Sequence, residues 1–91
     1  MTAEEITEGL DNERLREIER SVSRKIGFIF EAEDVAYIGA FTARKCEING
    51  KDRDYFYILF ENELRDFAAR ATINRRSAEI MQMRAGLAAS N

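Results

Sequence analysis

The dipeptide Asn49-Gly50 is the strongest local constraint on the fold of this chain. Both residues tolerate the positive φ of a two-residue type I′ turn, so the pair predicts a tight hairpin between two strands. The second strand of that hairpin is Asp54 to Phe60, nearly continuous in aromatic and branched residues. The first is Val35 to Ile48, although Val35, Ile38 and Thr42 also make a weak helical face. A tight register sets Ile48 opposite Lys51, Lys45 opposite Asp54, Thr42 opposite Tyr57 and Phe41 opposite Ile58, and these are chemically sensible cross-strand pairs. Phe56, Ile58 and Phe60 then share one face with Phe41 and Ala43, while Tyr55, Tyr57 and Leu59 share the other with Ala40 and Thr42.

A third short strand is read at Ile26 to Phe30, which is β-branched and aromatic and is followed by the polar break Glu31 to Asp34. Before it, Leu15, Ile18, Val22 and Ile26 recur at spacings of three and four, the signature of an amphipathic helix. Its N-cap is Asp11 or Asn12. Residues 1–10 form a frayed or separately packed turn, with Thr2-x-x-Glu5 matching a capping box. The expected pairing of helix and sheet is Leu15, Ile18 and Val22 against Phe56, Ile58 and Phe60.

The C-terminal region begins at Asn62 as N-cap and meets no Gly or Pro before Gly86. Its apolar phase changes along the way. Leu64, Phe67, Ala68 and Ala71 form one stripe, whereas Ile73, Ile80, Met83 and Leu87 form another on nearly the opposite side. One straight helix cannot turn both stripes to a single core. Either the region breaks near Thr72 to Asn74 into two short helices, or one long helix buries its second stripe against a partner. The expected fold is therefore α+β: a helix, a three-stranded antiparallel sheet, then one long or two short helices. It occupies one domain over residues 1–91, with residues 88–91 as a frayed tail.

Composition excludes most familiar active sites. There is no histidine among the 91 residues, which removes the commonest general base and zinc ligand at neutral pH. The single Cys46 has no histidine partner and no second cysteine, so it reads as a structural thiol in a reducing, cytoplasmic compartment. Asp52, Asp54 and Glu63 superficially match a calcium loop. Phe56 then stands at a ligand position and Tyr57 at the glycine position, and the match fails. Gly27 and Gly39 lack phosphate-loop spacing. The longest apolar run, Tyr55 to Phe60, is far short of a membrane span. No enzyme, cofactor, metal or membrane function is expected.

Two binding functions remain. The stripe Ile73, Ile80, Met83 and Leu87, with the Tyr55 and Tyr57 face of the sheet, exceeds what one small core needs. It points to a protein-binding module, a regulator, adaptor or inhibitor, that also pairs as a homodimer. Small acidic phage-encoded antagonists of host enzymes have this general size and charge, the chain carrying a formal net charge of −3. The alternative is a nucleic-acid-binding domain using the sheet tyrosines and Arg65, Arg70, Arg75, Arg76 and Arg84. At 100° per residue those arginines scatter round the helix and do not line one face. The order helix, three strands, helix is similar to that of double-stranded RNA-binding domains, but Glu61 to Asp66 stands where their basic cluster would be.

Overall fold

The computed structural model describes residues 1–89, apart from the side chains at 77, 78 and 84–89. Four helices make up the described chain: α1 (Ala3–Glu8), α2 (Asn12–Ile26), α3 (Ala32–Ile48) and α4 (Arg53–Ala89). There is no strand among the described residues, so the α+β expectation is corrected to an all-α fold. The sheet is replaced by an antiparallel pair of helices, α3 and α4, with α1 packed on α3 and α2 packed on α4.

The Asn49-Gly50 pair does turn the chain, but between helices. Gly50 takes a positive φ of 64°, whereas Asn49 stays at −93°, so the I′ geometry that needs both residues left-handed does not form. Instead the amides of Asn49 and Lys51 donate back to the carbonyls of Lys45 and Cys46, closing off α3. Beyond the turn, the carboxylate of Asp52 accepts the Tyr55 N–H at 3.1 Å and starts α4, ten residues upstream of the expected cap at Asn62.

Helical rather than strand periodicity decides what is buried. Among the described side chains, those buried along α4 are Phe56, Tyr57, Phe60, Leu64 and Ala68, and along α3 Ile38, Thr42, Ala43 and Cys46. Phe56, Phe60, Leu64 and Ala68 recur every four residues through both the supposed strand and the helix after it. Ile58, expected on the buried sheet face beside Phe56 and Phe60, lies on the opposite side of α4 and is 60% exposed. Phe41, expected beside it, is also exposed. The supposed strand at Ile26 to Phe30 is the end of α2 and a connector. Gly27 adopts φ 71° as a left-handed cap, and its amide and that of Phe28 both donate to the Ser23 carbonyl. The rings of Phe28 and Phe30 then close on Phe67, with centroids 6.2 Å away in each case.

The amphipathic reading of α2 holds for three of its four apolar residues: Asp11 caps the helix by accepting the Glu13 and Arg14 amides, Val22 is buried, and Leu15 and Ile18 pack on the core, while Ile26 at the end is exposed. Residues 1–10 contain a separate short helix. Thr2 accepts the Glu5 N–H as in the matched capping box, and Ile6 is fully buried. Side chains from other helices hold both ends of α1. Glu47 accepts the Ala3 N–H at 2.9 Å, and the Arg53 guanidinium donates to the Glu5 and Ile6 carbonyls. This places an anion at the helix N-terminus and a cation at its C-terminus, as the helix dipole favours.

The alternative of two C-terminal helices is also settled. α4 runs unbroken for 37 residues, about 55 Å at 1.5 Å per residue. It spans most of the 60 Å long axis of the molecule. Its first half is covered by α2 and α3, and Ala68 is the last buried side chain among those described. The second half projects beyond the bundle. No helix of the described residues is long and apolar enough to cross a membrane.

Candidate partner-binding surface

The phase change in α4 sets the geometry of this surface. From Phe56 to Ala71 the core stripe faces α2 and α3. At 100° per residue, Tyr55, Ile58, Ile73, Ile80 and Met83 fall within about 80° of one another on the opposite side. All five are exposed, Ile73 at 62%, Ile80 at 51% and Met83 at 68%. Of the α4 residues that continue the core phase outward, those with described side chains, Asn74, Arg75 and Gln82, are polar. Among its described side chains, the projecting half therefore turns polar residues along the core phase and shows its apolar side to solvent. Leu87, the last member of the expected stripe, lies outside the described side chains.

The two tyrosines part company. Residues two apart in a strand share a face, but in a helix they diverge by about 160°. Tyr55 is 40% exposed on the outward side of α4. Tyr57 is buried, with the Arg14 guanidinium 3.9 Å above its ring and its hydroxyl hydrogen-bonded to the Asp11 N–H. It anchors α2 and is not on the outward side with Tyr55. The tyrosine face expected to stack nucleic-acid bases does not exist, and the helix–strand–helix likeness to RNA-binding domains goes with it.

Sequence periodicity missed exposed apolar residues on α3. Tyr37 and Phe41 stack with centroids 6.3 Å apart, and the Lys45 ammonium sits 4.7 Å over Phe41 while its Nζ bonds Glu63 at 2.8 Å. Ile48, 73% exposed, continues the same side of the helix. Their spacing of four and seven residues is the signal that would have found them once α3 is read as a helix.

Charge is committed unevenly along α4. Arg65 pairs with Glu61 and Arg70 with Asp66, both at i,i+4. Arg75 and Arg76 have no carboxylate partner among the described residues.

The remaining features offer no assembled chemistry. A cavity of about 630 Å³ opens between α2 and α3 over the rings of Phe56 and Phe60, lined chiefly by Leu15, Val35, Ala36 and Gly39 with Arg16 and Glu19 at its edge. Its lining is mainly apolar, with Thr7, Asn12, Arg16 and Glu19 as its polar members. Cys46 is fully buried, and burial raises its thiol pKa, with the Asp52 carboxylate adding to the effect. Asp52 and Glu63 are spent on the start of α4 and on Lys45, and no group of three or more His, Cys, Asp or Glu side chains converges among the described residues. Compared with protein-family models, curated proteins and solved structures, the chain matches none of them.

Proposed function

We propose that the chain is a non-enzymatic protein-binding module, a regulator, adaptor or inhibitor, that docks through the outward strip of α4 in a reducing, cytoplasmic compartment. The observation that carries this reading is the unbroken helix with its shifted apolar phase, which leaves Ile73, Ile80 and Met83 in water. Monomers seldom leave such a strip bare, and methionine and isoleucine on a rigid helix form an adaptable apolar docking edge. The single cysteine, buried and unpaired with any other, supports the compartment.

The test replaces Ile80 and Met83 together by glutamate. Circular dichroism should show an unchanged fold, because neither side chain contributes to the core. Partners retained by the wild-type chain and lost by the double variant should be re-measured with purified protein, where at least a tenfold loss of affinity is expected. Unfolding of the double variant, or equal binding by both chains, defeats the reading.

A further inference from the structure

We infer that the strip on α4 pairs with the same strip of a second copy, antiparallel and centred on Ala69. The inference rests on the docking reading above and names its partner. An isologous contact about a two-fold axis needs a surface that is complementary to itself when reversed. The outward face of α4 has that property. Its residues are Tyr55, Ile58, Asn62, Arg65, Ala69, Ile73, Arg76, Ile80 and Met83, and their spacing reads 3, 4, 3, 4 up to Ala69 and 4, 3, 4, 3 beyond it. All nine are exposed. Reversing one copy about Ala69 sets Tyr55 against Met83, Ile58 against Ile80, and Asn62 against Arg76, whose guanidinium can donate to the Asn62 amide oxygen. Arg65 lies over Ile73 with its aliphatic stem, its charge already held by Glu61. The smallest side chain of the strip stands at the crossing point, where two backbones must come closest.

Charge selects the same orientation. Residues 1–69 hold 16 acids against 10 bases, whereas residues 70–91 hold one acid against four. An antiparallel pair lays each basic projecting half along the acidic bundle half of the other copy. A parallel pair would set like charge on like over the whole length.

Single cysteines in a Cys46→Ala background test both the pairing and its direction. Sedimentation velocity on the wild-type chain should show a dimer that I80E/M83E converts to a folded monomer. Ala69→Cys should cross-link to itself on oxidation, and Ile80→Cys should not, since the two copies of position 80 lie about 33 Å apart along the axis. A mixture of Ile58→Cys and Ile80→Cys chains should cross-link to each other. Rapid self-cross-linking of Ile80→Cys would overturn the antiparallel arrangement, and a wild-type chain that stays monomeric at every concentration would overturn self-pairing altogether. In that monomeric case the fold of I80E/M83E separates the two claims: if it melts as the wild type does, only self-pairing fails, and if it unfolds, the docking strip itself fails.

Discussion

The hydroxyl of Tyr57 accepts the backbone N–H of Asp11 at 2.9 Å, tying the middle of the bundle half of α4 to the residue that caps α2. The same Asp11 turns its carboxylate inward to the Glu13 and Arg14 amides, and Arg14 returns to cover the Tyr57 ring. Tyr57→Phe keeps the ring and the cation contact and removes only the acceptor. The partly buried amide then loses its protein partner, at a cost of about 1 kcal/mol. For a domain of this size that is a fall in melting temperature of roughly 4 to 8 °C. An unchanged melt would mean that water replaces the hydroxyl without penalty.

Two residues of one turn separate helix from strand energetically. Phe60 is 1% exposed and stacks on Phe56 with centroids 5.6 Å apart, whereas Ile58 points away from the bundle. Phe60→Ala should cost about 3 to 5 kcal/mol. Ile58→Ala, measured where the chain is monomeric, should stay within about 0.5 kcal/mol. Comparable losses at both positions would restore the face that a strand assigns to them.

Whatever is carried by helical period alone is legible in the sequence. Leu15, Ile18 and Val22 with Asp11 ahead of them announce α2, and Leu64, Phe67 and Ala68 announce the middle of α4. The phase change after Ala71 is written in the residue types themselves and marks the strip. The error lies at Asn49-Gly50, where a short-range turn preference outweighs the helical face Val35, Ile38 and Thr42 that α3 in fact buries in whole or part. A helix hairpin needs one left-handed residue, not two, and Gly50 alone supplies it. The aromatic run Tyr55 to Phe60 compounds the error, because six consecutive large residues satisfy both periods. Only extension into Leu64 and Ala68 distinguishes them. Tyr57 goes to the wrong face for the same reason.

Cys46 should be inert in the native state. Its thiol is fully buried on α3, and both burial and the Asp52 carboxylate raise its pKa. Thiol reagents should modify it only on the timescale of unfolding. Because the folded value lies above the unfolded one, the thiol's contribution to stability is fully present below about pH 9, the ordinary value, and is lost as the pH rises through the folded value. Cys46→Ala should therefore show a shallower alkaline fall in stability than the wild type. The same slope in both chains would place the effect on other groups.

The projecting half of α4 should be dispensable to the bundle. Beyond Ala71 every described side chain is exposed, and the last side-chain hydrogen bond among the described residues is the helix-internal one from Thr72 Oγ1 to the Ala68 carbonyl. A chain ending at Arg75 loses 16 residues, and those whose side chains are described are all exposed. Its helical circular dichroism should fall roughly in proportion to the residues removed. Its melting temperature should match that of the full chain wherever the full chain is monomeric. Concentration supplies the second measurement, because a species that binds only folded chain raises apparent stability by mass action. The full chain's melting temperature should climb with concentration and the shortened chain's should not. A shortened chain that melts several degrees lower even at high dilution would show that residues 76–91 return to cover the bundle, and that the outward strip is part of its core.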